Sequence, residues 1–150
     1  DEYLNKIEKL DIIIMSHVIE HLDDPFGNLE KIKNKMSNKS VLIFSTYNMD
    51  SKIAKILGKK YHWIMPMHKY YFSKKVLKNI LKKYNLEIVE TITDTHVVSL
   101  KYLFIKLSLI LPFFKFIFNS LQKISLCNKI NIKINLGDLD LYCVKKKINS

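Results

Sequence analysis

The sequence predicts an α/β fold, a doubly wound sheet in which strands alternate with helices. Three observations point to it. Residues 11–16 (Asp-Ile-Ile-Ile-Met-Ser) and 41–46 (Val-Leu-Ile-Phe-Ser-Thr) are unbroken apolar runs. That pattern suits strands buried on both faces, as in a parallel sheet. Apolar residues at helical spacing lie between and after these runs. Two more strand-like stretches, 86–93 and 138–145, complete the order strand, helix, strand, helices, strand, insert, strand.

Each element has a local reason. The first run ends at Ser16-His17, and Val18-Ile19-Glu20-His21-Leu22 leads on from it. A helix beginning near His17 would set positions 17, 20 and 21 on one face. Asp24 suits an N-cap and Pro25 the first helical position. Phe26, Leu29, Ile32 and Met36 then recur at helical spacing, and Ser37-Asn38-Lys39 is expected to end that helix. Ser51 to Leu57 reads as a short helix stopped by Gly58. Residues 59–71 form a loop rich in aromatic and histidine side chains, with Trp63, Pro66 and His68. Ser73 caps an amphipathic helix with Val76, Leu77, Ile80, Leu81 and Tyr84 on its apolar face. The final strand sets Leu139, Leu141 and Cys143 on one face, and Tyr142 and Val144 on the other.

The stretch 100–121 is very apolar but broken by Lys101, Lys106, Lys115 and Pro112. A spanning helix needs roughly 20 mainly apolar residues, so these breaks argue against a span. Two expectations stand side by side: a helical pair covering the active site, or an amphipathic element touching a membrane surface.

Composition bounds the function classes. With 150 residues, 48% hydrophobic and 26% charged, the chain suits one folded domain and excludes long disorder. It begins with Asp1 rather than Met, which suggests a fragment or a processed form, and no secretory signal opens it. Cys127 and Cys143 match neither a disulfide framework nor a CxxC metal motif, so they are expected to be thiols in the reducing cytoplasm. The net charge of +11 invites a nucleic-acid partner, but all 25 basic residues are Lys. Base readout and bidentate phosphate contacts favour Arg, which argues against that partner. The abundance of Lys, Ile and Asn is equally accounted for by an AT-biased genome. Only three glycines are present, so there is no Gly-rich phosphate loop.

Several motifs, taken in order, resemble the C-terminal half of class I S-adenosylmethionine-dependent methyltransferases. The branch in view includes ubiquinone-biosynthesis O-methyltransferases. Leu10-Asp11-Ile12-Ile13 is similar to the start of that family's fourth strand. Val18-Ile19-Glu20-His21-Leu22-Asp23-Asp24-Pro25 is similar to the loop and helix start that follow it. Residues 41–46 followed by Asn48 resemble strand five, with Tyr47 in place of the family's usual Pro. His68-Lys69-Tyr70-Tyr71-Phe72-Ser73 with Val76, Leu77 and Leu81 resembles the entrance to the next helix, and Gly137-Asp138 the last hairpin. The resemblance covers residues 8–146 and is weakest over the apolar insert at 97–136. It implies a partial Rossmann-like methyltransferase sheet with strands four, five, seven and six side by side, residues 1–150 being a single half-domain. The family's first three strands, with the Gly-rich turn and the acid that grips the ribose, would precede Asp1. Only one wall of an S-adenosylmethionine site would then remain, and the fragment alone would be inactive. Strand four would be an open apolar edge.

His17, Glu20, His21 and His68 are the candidate catalytic and metal-ligating residues. In some relatives, ubiquinone-pathway O-methyltransferases and small-RNA 3′-end methyltransferases, a Glu-x-x-Glu-His motif and a later His hold a divalent metal on the hydroxyl to be methylated. The resemblance implies such a role here, but His17 stands where the first Glu would be. Two imidazoles and a carboxylate suit Zn²⁺, Mn²⁺ or Fe²⁺ better than Mg²⁺. Other assignments stay open: Glu20 and His21 as backbone hydrogen-bonding groups, His68 packed under Trp63 or Tyr70, or His17 as a metal-free general base. Ser16 and His17 are the candidate cofactor contacts, and Trp63, Tyr70 and Tyr71 the lid.

The function so implied is methyl transfer to an O or C nucleophile of a small or lipid-linked acceptor. Two further expectations come from other classes. One is a degenerate interaction module whose missing strands a partner chain supplies. The other is a basic protein bound peripherally to a membrane through 100–121.

Overall fold

A computed structural model describes residues 6–147. In chain order its main elements are β1 (Leu10–Ser16), α1 (Pro25–Lys35), β2 (Met36–Tyr47), α2 (Lys52–Leu57), α3 (Lys74–Lys83), β3 (Leu86–Thr93), β4 (His96–Ser99), α4 (Leu100–Ile110), α5 (Lys115–Leu121), β5 (Asn131–Ile134) and β6 (Leu139–Lys146). They fall into two units, Asp1–Asp94 with Gly137–Ser150, and Thr95–Leu136.

The larger unit holds a four-stranded sheet in the order β1-β2-β6-β3. β1 runs parallel to β2, while β6 is antiparallel to both its neighbours. Read in family terms this is the order four, five, seven, six. One sheet face carries Met15, Leu42, Phe44, Tyr142 and Val144, which pack in a single core with Leu29 and Ile32 of α1 and Leu77 and Leu81 of α3. Phe44 and Tyr142 stack at 5.2 Å between centroids.

The other face corrects the expectation that β1 is buried on both sides. Ile12 and Ile14 of β1 are 66% and 71% exposed, and Ile92 of β3 is 51% exposed. The reason is relational. α1 and α3 both contribute to the core on the first face, and the period of two sends every second residue of the outer strand to the opposite side.

Caps define the helices. The Asp24 carboxylate accepts from the Gly27 N–H at 2.8 Å, with Pro25 opening α1. A Cβ on Gly27 would stand 2.1 Å from Asp24 Oδ2, so glycine keeps this cap possible. Ser51 caps α2, and Gly58 follows it with φ +50°. Ser73 caps α3 by accepting from the Val76 N–H at 3.2 Å. Val76 itself is exposed, at the margin of the buried stripe through Leu77 and Leu81. Residues 37–39 do not end α1 but belong to β2. The register shifts between the Leu10↔Met36 and Ile12↔Val41 pairs, and Ser40 Oγ closes the irregularity by donating to the Leu10 carbonyl.

The smaller unit contains an antiparallel β4–β5 pair, with His96 opposite Ile134 and Ser99 opposite Asn131. These strands were not expected from the sequence. Ser99 caps α4 through the Tyr102 N–H. A turn at Pro112 leads to α5, whose Phe118 stacks on Phe104 of α4 with centroids 6.1 Å apart. Both cysteines are free thiols. Among the described residues no helix is long and apolar enough to cross a membrane.

Candidate functional site

The site is built where the parallel strands β1 and β2 end. His17 follows β1 in the left-handed region at φ +51°. Its N–H is held by Ser45, at 3.3 Å to the carbonyl and 3.2 Å to the hydroxyl. Ser16 Oγ lies 3.4 Å from Ser45 Oγ. No helix begins here, contrary to the expectation from spacing. Residues 18–21 form a turn closed by His21 N–H to the Val18 carbonyl at 3.0 Å, and buried Ile19 anchors it. A positive φ cannot continue into a right-handed helix, so α1 waits for the Asp24 cap. The turn still brings His17 Nδ1 to 3.4 Å from Glu20 Oε1.

Glu20 is 2% exposed. Its Oε2 accepts from the Thr46 hydroxyl at 3.2 Å. Its Oε1 is in ion-pair range of His17 but not aligned as a hydrogen bond, so this buried oxygen keeps unused acceptor capacity. Burial pushes the Glu20 carboxyl up. The His17 imidazole, the Glu20 backbone N–H and the Thr46 hydroxyl together outweigh that, and hold it below the usual carboxylate range.

The loop after α2 folds over this turn. The Glu20 carbonyl accepts from the N–H groups of Lys69 and Tyr70, at 2.8 and 3.2 Å. Lys69 Nζ pairs with Asp23, and the Tyr70 hydroxyl donates to the Asp23 carbonyl. At the other end of the loop, buried Tyr61 donates to Asp138 Oδ2 at 2.7 Å. Between these anchors His68 is buried, with Nδ1 2.8 Å from the Trp63 carbonyl. His21 Nδ1 lies 3.0 Å from the Met67 carbonyl.

These contacts fix the tautomers. A carbonyl only accepts, so each Nδ1 carries the proton, and Nε2 of the neutral ring is left as a lone pair. A backbone carbonyl on one ring nitrogen is the usual way a ligating histidine is oriented. One ligand atom each from Glu20, His21 and His68 lies within 4.8 Å of the others. Ligands at about 2.1 Å from one ion stand roughly 3–4 Å apart, so closing on an ion needs side-chain adjustment of about 1 Å. His17 touches Glu20 but is not one of the three.

The aromatic residues divide. Trp63 stacks on Tyr47 at 4.2 Å, and Tyr47 also faces His17 at 4.9 Å and His68 at 5.7 Å. Tyr71 meets His68 edge-on at 6.0 Å. Tyr70 sits instead against Phe26 and Phe72, on the core side. Sequence reasoning passed over Tyr47, Thr46 and the Tyr61–Asp138 pair as parts of this region. The available signal was Tyr47 itself, an aromatic ring directly after a buried strand where the family has Pro.

Comparison with known proteins bears on the fold. The family described as "Methyltransferase domain" matches residues 2–91. No curated protein matches. Among solved structures, a SAM-dependent methyltransferase from Archaeoglobus fulgidus is 21% identical with a TM-score of 0.57. A possible histamine N-methyltransferase from Thermotoga maritima is 15% identical with a TM-score of 0.54. A mitomycin 7-O-methyltransferase is 13% identical with a TM-score of 0.56. They cover 97%, 95% and 97% of this chain, which in turn spans 64%, 58% and 32% of theirs. The chain therefore belongs to the methyltransferase-domain family and carries part of the mixed α/β fold of class I S-adenosylmethionine-dependent methyltransferases.

Proposed function

We propose that this chain forms the acceptor-side part of an S-adenosylmethionine-dependent methyltransferase acting on an O or C nucleophile of a small or lipid-linked acceptor. The carrying observation is the convergence of Glu20, His21 and His68 beyond the carboxyl ends of β1 and β2, where open α/β sheets bind ligands. Transfer forms one bond from the nucleophile to the methyl carbon as the sulfur–methyl bond breaks, and the acceptor's proton must leave. Ser16 and His17 border the cofactor side. His17, beside ionised Glu20, is placed to take that proton.

The unused Glu20 oxygen and the two free Nε2 lone pairs fit a divalent ion of the Zn²⁺, Mn²⁺ or Fe²⁺ type. Glu20, His21 and His68 would hold it. Bound there, it would lower the pKa of the acceptor hydroxyl. The remaining wall of the cofactor site comes, in this proposal, from polypeptide outside these 150 residues, in the same chain or a partner. The open apolar flank of β1 at Ile12 and Ile14 supports a covering segment.

Calorimetric titration with Mn²⁺ tests the assignment. We expect His21→Ala to weaken Mn²⁺ binding by at least about tenfold. Equal binding by the parent and the variant overturns the metal assignment and leaves His17 as a metal-free base.

A further inference from the structure

We infer that the smaller unit, Thr95–Leu136, is a docking surface for an anionic lipid bilayer. This rests on observations separate from the methyl-transfer site. The first is charge. This stretch holds Lys101, Lys106, Lys115, Lys123, Lys129 and Lys133 and no Asp or Glu, whereas all 14 acids of the chain lie outside it. An AT-biased genome accounts for Lys in place of Arg. It does not account for the exclusion of carboxylates from one structural unit.

The second observation is apolar exposure, which is spread over that unit, Val97 and Leu126 included, and is greatest at and just before α5. Phe118 packs on Phe104 and Phe114, which ties α5 to α4. That leaves Phe113 98% exposed, Phe116 83% and Ile117 52%, with Leu109 on α4 at 65%. Lys115 stands exposed among them. Phe116 and Ile117 are neighbours on the first turn of α5, and Phe113 lies in the turn that leads into it.

The occupant follows from the chemistry. The cores of protein interfaces favour aromatic residues, Met and Arg, and are depleted in Lys, so it is the lysines that set this face apart. This face offers Phe, Ile and Leu with Lys. A fluid hydrocarbon phase needs no shape complement, and anionic headgroups attract the lysines while disfavouring acids. The elements are short: α4 has 11 residues and α5 has 7. They suit shallow seating in the headgroup boundary.

Flotation of the full chain with lipid vesicles tests this. With phosphatidylcholine containing phosphatidylglycerol the protein should float, and high salt should release it. With phosphatidylcholine alone it should stay at the bottom. Phe113→Ser and Phe116→Ser should each lower partitioning about tenfold, and Lys115→Gln about fivefold. All three positions are exposed, so thermal unfolding should match the parent. A protein that stays at the bottom with anionic vesicles overturns the inference, as do variants that float like the parent. A dimer lost on Phe116→Ser, without flotation, would assign the face to a second copy and also overturn it.

Discussion

Replacing Glu20 by Gln removes a charge and almost no volume from a buried position. In the parent, Glu20 is 2% exposed, receives the Thr46 hydroxyl at 3.2 Å and faces His17 at 3.4 Å. The amide oxygen of Gln can keep the Thr46 bond, so the loss falls on the His17 contact. His17 is 34% exposed, which screens the pair. A full buried ion pair broken on one side costs about 3–5 kcal/mol. Discounted for solvent and for the poor alignment, the expected loss is about 1–2 kcal/mol near pH 6. For a chain of this size that lowers Tm by roughly 2–8 °C. The pH dependence carries the sign. The Glu20 carboxyl is held below its ordinary value of 4.5 in the folded protein. Its contribution is therefore present above that value and is lost as the pH falls through the folded one. Parent and Glu20→Gln should converge at acid pH, as read by urea unfolding over a pH series. The variant should also fail to bind Mn²⁺. A variant as stable as the parent near pH 6, or a gap that persists undiminished at acid pH, would refute this account of Glu20.

Tyr61→Phe removes the 2.7 Å hydrogen bond to the fully buried Asp138 and should cost about 1.5–3 kcal/mol by thermal unfolding. Burial, then the Asp138 carboxylate, pushes the Tyr61 hydroxyl far above its usual 10.0, so this contribution holds below that pH and fades as the pH rises further. The gap between Tyr61→Phe and the parent should accordingly narrow at strongly alkaline pH, and a constant gap would contradict the assignment. Ile14→Lys places a charge on the 71% exposed flank of β1 and should change stability by less than about 0.5 kcal/mol while reducing light scattering on concentration. A marked fall in Tm would mean that this flank is covered in solution.

The parts of the fold that were legible are those with local causes. Asp24-Pro25, Ser51 and Ser73 mark helix starts within one turn of chain. The apolar runs of β1 and β2 declare themselves by composition. β4 and β5 do not, because each is four residues long and finds its partner across the whole insert. The exposure of Ile12 and Ile14 was hidden for a related reason: a run of isoleucines reports a strand, but not how many of its faces have something to pack on. The site divides the same way. Glu20, His21 and His68 could be named from an ordered motif. Tyr47 stood out only as an aromatic ring where the family has Pro, and its part in the site comes from stacking on Trp63, sixteen positions away beyond α2.

His17 is the point where local rules failed most directly, and the failure is physical. Spacing allows a helix from His17, yet the residue sits at φ +51°, a conformation that costs about 1–2 kcal/mol for a residue with a Cβ. Both hydrogen-bond contacts of its N–H are to Ser45 on the neighbouring strand, so the conformation is imposed by β2. The bend that results sends Glu20 inward under Thr46 and presents the Glu20 carbonyl to Lys69 and Tyr70. A helix begun at His17 would spend that carbonyl on an internal bond and take one anchor from the loop carrying His68. The strain at His17 is thus what brings the 17–21 turn and the 59–71 loop together as one arrangement.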